Sequence, residues 1–83
     1  MTDLKENLLK NFGELLRERR KKSGLSQEEL ALACGLDRTY ISGLERGKRN
    51  PTLKVLALLA FSLKITVAEL LTAQEINQWK SIF

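Results

Sequence analysis

The sequence predicts an all-α fold: five short helices followed by a short helical tail. Apolar residues recur at three- and four-residue spacing, and glycines and capping residues cut the chain into blocks of helical length. No stretch alternates polar and apolar residues for long enough to suggest a sheet. At 83 residues the chain is expected to be a single domain spanning 1–83, with a core modest enough that tight helix packing or a partner subunit has to support it.

The first helix carries Leu4, Leu8, Phe12, Leu15 and Leu16 as one apolar stripe, runs through a basic stretch from Arg17 to Lys22, and is expected to stop at Gly24. The second begins at a capping box, Ser26 with Glu29, faces inward through Leu30, Ala33 and Cys34, and ends at Gly35. The third has Asp37 as its N-cap and runs from Arg38 to about Arg46; its apolar face is Ile41 and Leu44, and its other face is Arg38, Thr39, Ser42 and Gly43. The turn between the second and third is only Gly35-Leu36-Asp37. Two short amphipathic helices joined by such a turn form the DNA-binding helix-turn-helix unit, expected over about residues 26–46.

A basic loop follows, Arg46-Gly47-Lys48-Arg49-Asn50, closed by Pro51. Thr52 caps the fourth helix, Leu53 to Leu63, in which Lys54 and Ser62 are the only polar residues. A helix that is apolar nearly all round has to be covered on more than one side. One cover is the core, and a second subunit is the candidate for the other, through Leu58 and Phe61. The fifth helix starts at a second capping box, Thr66 with Glu69, and presents Val67, Leu70 and Leu71. The tail from 72 to 83 carries Ile76, Trp79 and Phe83 at helical spacing. Two packings suit those residues: against the domain's own core, or in a dimer seam.

Composition removes several classes. The chain is 43% hydrophobic, too apolar for a disordered segment. The greasiest stretch, 55–61, lies between Lys54 and Ser62, and no apolar run is long enough to cross a bilayer. The residues Met1 to Glu6 do not have the basic-then-apolar pattern of a secretory signal. A lone Cys34 forms no internal disulfide, which fits a reducing cytoplasm, and with no His to activate it a small core residue is the expected role. The absence of His also argues against metal clusters. With no phosphate-cradling glycine loop and no nucleophile–base pair, catalysis is not expected, nor is a cofactor, a small-molecule ligand or a membrane partner.

Charge is localised. Residues 17–54 hold ten basic and five acidic side chains, and the rest of the chain holds four and five. A basic middle suits a polyanion-binding face and, from charge alone, an ordinary solvated surface equally well.

Three runs then carry a resemblance: Gly24-Leu-Ser-Gln-Glu-Glu-Leu-Ala, Gly35-Leu-Asp-Arg-Thr-Tyr-Ile-Ser and Leu44-Glu-Arg-Gly-Lys-Arg-Asn-Pro-Thr52. They resemble the helix-turn-helix of the phage repressor and Cro-like group (Cro/C1-type, XRE-like regulators) over about Arg17 to Leu71, in the right order and spacing. The run from Leu36 to Gly43 further resembles the controller proteins of restriction–modification systems. The resemblance implies a five-helix bundle of the lambda-repressor kind, with helix two crossing the DNA backbone and helix three in the major groove. It also implies a homodimer on a pseudo-palindromic operator of double-stranded DNA, its half-sites about one turn (~34 Å) apart, and a role in regulating transcription.

Residue roles follow from chemistry and from the resemblance together. Arg38, at the N-terminal end of helix three, has the planar fork that grips the two acceptors of guanine; phosphate contact is its plainer alternative. Thr39 and Ser42 suit hydrogen bonds or a thymine methyl. Gly43 departs from the family's frequent base-reading side chain there; it suits a close approach of backbone to base edges and shifts weight to Arg38 and DNA shape. The resemblance puts Gln27 on a phosphate at the start of helix two and lets Arg49 reach a base. Tyr40 suits a phosphate through its hydroxyl, or a partly buried structural role. Arg46, Lys48 and Asn50 suit phosphates. Arg20 and Glu45 match family positions that form a salt bridge between helices one and three, which leaves Arg17, Lys21 and Lys22 solvated or as distant phosphate partners. An antitoxin or a phage-type repressor is the alternative within DNA binding, and a protein-interaction module that has lost DNA binding is the alternative outside it. Arg38, Gln27 and the basic loop, which such a module should lose, are present.

Overall fold

The computed structural model describes residues 2–72, with side chains from Asn7 onward. The order is α1 (Thr2–Lys22), α2 (Gln27–Cys34), α3 (Arg38–Glu45), α4 (Leu53–Ser62) and α5 (Val67–Leu70), with no strand among the described residues. The all-α expectation holds, with five helices in the expected order. Helix α5 is a single turn of four residues, and α3 ends at Glu45 with Arg46 as its C-cap. The side chain of Leu4 and the tail with Ile76, Trp79 and Phe83 lie outside the described residues.

Capping sets the boundaries. Ser26 Oγ accepts from the Glu29 N–H at 3.0 Å while Glu29 Oε1 accepts from the Ser26 N–H at 2.8 Å, so orphan donors are satisfied reciprocally at the start of α2. Thr66 and Glu69 repeat the box at 3.0 and 2.9 Å. Asp37 Oδ1 accepts from the Thr39 N–H at 3.1 Å, and Thr52 Oγ1 from the Val55 N–H at 3.1 Å. Gly35, in the left-handed region at φ 69°, closes α2.

The core draws on every helix. Leu16, Leu30, Ile41, Leu44, Leu59 and Leu70 are fully buried, with Phe12 and Leu15 beside them. The predicted inner face of α2 needs one correction: Ala31 is buried with Leu30 and Cys34, whereas Ala33 is exposed. At about 100° per residue, the faces of Leu30, Ala31 and Cys34 centre well away from Ala33. Cys34 is buried and its Sγ lies 3.3 Å from Ser62 Oγ, as expected of a small core residue.

Helix α1 lies directly on the end of α3. A Cβ on Gly13 would fall 2.5 Å from the carbonyl oxygens of Leu44 and Glu45, so no larger residue fits there. About two turns along, Arg20 forks onto buried Glu45, Nε to Oε2 at 2.6 Å and Nη2 to Oε1 at 3.2 Å. Its Nη1 donates to Leu25 O at 2.7 Å. One guanidinium thereby joins α1, the α1–α2 turn and α3, and the salt bridge implied by the family resemblance is present.

Helix α4 is covered on one side. Leu59 and Ala60 are buried, and Val55, Leu56 and Leu58 are half-buried against the core. Leu53 and Phe61 are 75% and 84% exposed, with exposed Ala57 between them at four-residue spacing. Among the described residues no helix is long and apolar enough to cross a membrane.

Candidate nucleic-acid interface

Helix α3 turns its apolar side, Ile41 and Leu44, into the core and leaves an outer edge of exposed Arg38 and Thr39, half-buried Ser42 and exposed Arg46. Arg38, Ser42 and Arg46 recur at four-residue spacing, with Thr39 beside Arg38 on the same side. The edge begins at a helix N-terminus whose cap is a carboxylate. The backbone N–H of Thr39, then its hydroxyl at 2.9 Å, hold the Asp37 carboxyl below the ordinary aspartate range, and Arg38 adds to this. Asp37 is thus a fixed anion that pins the first turn of α3, engaging both the backbone and the hydroxyl of Thr39.

Arg38 is positioned from below. Its Nη1 donates to Gln27 Oε1 at 3.4 Å, and Gln27 Nε2 donates to Glu45 Oε1 at 3.0 Å. The chain Arg38–Gln27–Glu45–Arg20 runs from the outer edge to the buried ion pair. Gln27, expected on a phosphate, is half-buried and engaged at both ends of its amide. It is a bridge between α2 and α3 that sits beside the N-terminus of α2.

The expectation for Gly43 is corrected. It is buried, and a Cβ there would come within 2.8 Å of Arg49 Cγ. Backbone does not lie open at Gly43, because the Arg49 side chain lies across it. The guanidinium of Arg49 stands 5.7 Å above the centroid of the half-buried Tyr40 ring, a distance at which the cation is attracted to the aromatic face. Gly43 is therefore the seat, and Tyr40 the back, of a mount that folds the loop arginine against α3. Sequence reasoning had the three residues but not their relation, since nothing in a linear pattern shows that residue 49 doubles back onto residue 43.

The loop itself is exposed at Lys48, Arg49 and Asn50. Arg46 turns back to α3, its Nε 3.4 Å from Ser42 O. Beside it lies an open cleft of about 450 Å³ lined by Lys10, Arg46, Gly47 and Lys48. Lys10 was not anticipated; it lies 36 positions before Arg46 in sequence, and no local signal connects it to the loop. Of the predicted interface residues, Arg38, Thr39, Ser42, Arg46, Lys48, Arg49 and Asn50 lie along α3 and the loop that follows it, with Gln27 and Tyr40 as half-buried supports. Arg17, Lys21 and Lys22 are exposed at the end of α1, where Lys22 pairs with Glu18 at 3.2 Å. Of the predicted dimer contacts, Phe61 is exposed and Leu58 half-buried; Leu53, the other large apolar residue exposed on α4, was missed because it was read as the helix start.

Comparison with known proteins places this geometry. A family model described as helix-turn-helix matches residues 16–70. The control protein C.SmaI of Serratia marcescens is 47% identical over 72 residues, covering 87% of this chain and 81% of that protein. The crystal structure of the restriction–modification controller protein C.AhdI from Aeromonas hydrophila is 52% identical, with a TM-score of 0.72 over 76% of this chain and 94% of that one. The controller protein C.Esp1396I, solved as a tetramer with its natural 35 base-pair operator, is 37% identical, with a TM-score of 0.67 over 78% of this chain and 96% of that one.

Proposed function

The chain belongs to the helix-turn-helix family, and from that premise we propose that it binds a specific double-stranded DNA operator as a homodimer and regulates transcription in the manner of restriction–modification controller proteins. The observation that carries the reading is the outer edge of α3, led by Arg38 held through Gln27 to a buried ion pair and followed by a cationic loop. The relatives support it: C.SmaI, C.MunI and C.BamHI are control proteins, C.AhdI is a restriction–modification controller protein, and C.Esp1396I was solved on its operator.

In this reading α3 enters the major groove by its N-terminal turn. Arg38 grips a guanine edge, Thr39 and Ser42 meet neighbouring bases, and Arg49 reaches a base from its mount on Gly43 and Tyr40. Arg46, Lys48 and Asn50, with the N-terminus of α2 at Gln27, hold phosphates and fix the register. The dimer seam falls on the outer stripe of α4, Leu53, Ala57 and Phe61, with Leu58 at its edge; the tail residues Ile76, Trp79 and Phe83 lie outside the described residues. Two-fold symmetry then asks for an inverted-repeat operator, half-sites about 34 Å apart. A regulator of this kind works in the cytoplasm and needs no cofactor or catalytic step.

Selection of bound duplexes from a random pool, followed by competition at about 0.15 M salt, tests the function. The selected duplex should be bound at least about 1,000-fold more tightly than random competitor, and its sequence should be a pseudo-palindrome. Equal affinity for selected and random DNA would reject the reading.

A further inference from the structure

The cleft beside the loop contains a cation that no part of the helix-turn-helix supplies. Gly47, at φ 74°, brings the loop against the backbone of α1: a Cβ there would stand 2.9 Å from Lys10 Cα and 3.1 Å from Lys10 N. That contact needs both the left-handed conformation and the missing side chain. It fixes Lys10, an exposed residue of α1, beside Arg46 and Lys48 around the open cleft. Glu45, the acid next to Arg46 in sequence, is buried and engaged by Arg20 and Gln27, so its carboxylate does not neutralise the cleft. Three cationic residues thus line one cleft where the chain passes from α3 to the loop, two from the motif and one brought in by the fold.

We propose that Lys10, Arg46 and Lys48 form one phosphate-binding cleft, and that Lys10 contacts the DNA backbone, extending the footprint beyond the helix-turn-helix. The inference rests on the DNA-binding reading above and deepens it. A cleft lined by three cations and floored by a glycine suits a phosphate diester, whose charge takes cationic donors from more than one side. An ammonium on the flexible lysine stem serves as a point charge for such a group. Lys10 then carries position and salt dependence rather than base preference.

The test is the slope of log affinity against log salt on the selected duplex, for the wild-type chain and for Lys10→Gln, Lys48→Gln, Lys10→Arg and Lys64→Gln. Lys64 is an exposed cation in the α4–α5 turn, outside the cleft, and reports the generic effect of losing one charge. Lys10→Gln should lower the slope by about 0.9, as Lys48→Gln should, since each phosphate contact contributes about that much. Lys10→Arg should keep the wild-type slope, and Lys64→Gln should leave it nearly unchanged. Base preference in a competition panel should be the same for Lys10→Gln as for wild type. A wild-type slope in Lys10→Gln, or a loss matched by Lys64→Gln, would overturn the Lys10 contact while leaving sequence-specific binding intact. Absence of any preference in the wild-type chain would instead defeat the reading on which the inference rests. Because Lys10 is exposed, a folded Lys10→Gln is expected, and an unchanged thermal transition verifies it.

Discussion

Arg38 and Arg49 approach the same helix edge by different routes, and single substitutions separate them. Arg38 stands on α3 itself, tied through Gln27 to Glu45. Arg38→Ala should cost about 1–3 kcal/mol on the selected duplex and relax preference at one base pair; equal weakening across all sequences would mark a phosphate contact instead. Arg49 depends on the absence of a side chain at Gly43. Gly43→Ala should therefore separate stability from binding. The helix gains up to about 1 kcal/mol of propensity, so the thermal transition should hold or rise, while the Arg49 side chain is displaced and affinity for the selected duplex falls. Unchanged affinity in a folded Gly43→Ala chain would remove Arg49 from base reading. That Arg38, Thr39 and Ser42 share one polar face of α3 was legible in the sequence from helical spacing, whereas a base role for Arg49 came only from the family resemblance. Their supports were not, because the Gly43 seat and the Gln27 bridge, which spans 11 positions to Arg38 and 18 to Glu45, exist only once residues on different elements are folded together.

The elements are joined by one buried ion pair and bounded by caps. Arg20 is 8% exposed and serves both Glu45 and Leu25 O. Arg20→Ala leaves a buried carboxylate without its partner, which should destabilise the fold by about 3–5 kcal/mol, read as a shift in the urea midpoint at constant m-value. A loss under about 1 kcal/mol, the level of an exposed pair, would show that the contact is ornamental. The caps make stability acid-sensitive. Backbone N–H donors hold the carboxyls of Glu29, Asp37 and Glu69 below their ordinary ranges. A group depressed in the folded state stabilises above its unfolded pKa and loses that contribution as pH falls through the folded value. Stability should therefore be flat near neutrality and decline from the ordinary carboxylate range, near pH 4, downward. Asp37→Asn, which keeps a capping oxygen without the charge, should shallow that decline; an identical acid profile would contradict the cap's electrostatic role. Both capping boxes and the Asp37 cap could be read from spacing alone, since a cap is a local contact. The face of α2 was misread at Ala33 because two apolar positions two apart, Ala31 and Ala33, differ only by which side of the helix the core takes.

At the scale of the whole molecule, the proposed reading gives the outer edge of α3 to DNA and the outer stripe of α4 to a second copy. Leu53, Ala57 and Phe61 form an apolar stripe that the described chain does not cover. Phe61→Asp should shift the chain to monomer in sedimentation at micromolar concentration and weaken operator binding through lost avidity, with the monomer fold intact; an unchanged dimer would move the seam elsewhere. The excess of apolar residues on α4 announced this surface in the sequence, although which residues face out depended on how α4 rolls against α2. The proposed DNA face shows the same division: its motif is contiguous and was legible, whereas Lys10 comes beside the loop only through the close approach of Gly47. The most direct measurement of the central claim is titration of the ¹⁵N-labelled chain with its selected duplex, followed by backbone amide shifts. The largest changes should fall on Arg38–Ser42, on Gly47–Asn50 and at the start of α2, and should be stronger with the selected duplex than with a scrambled one. Shifts that spare α3, or that are the same for both duplexes, would contradict base reading by this helix.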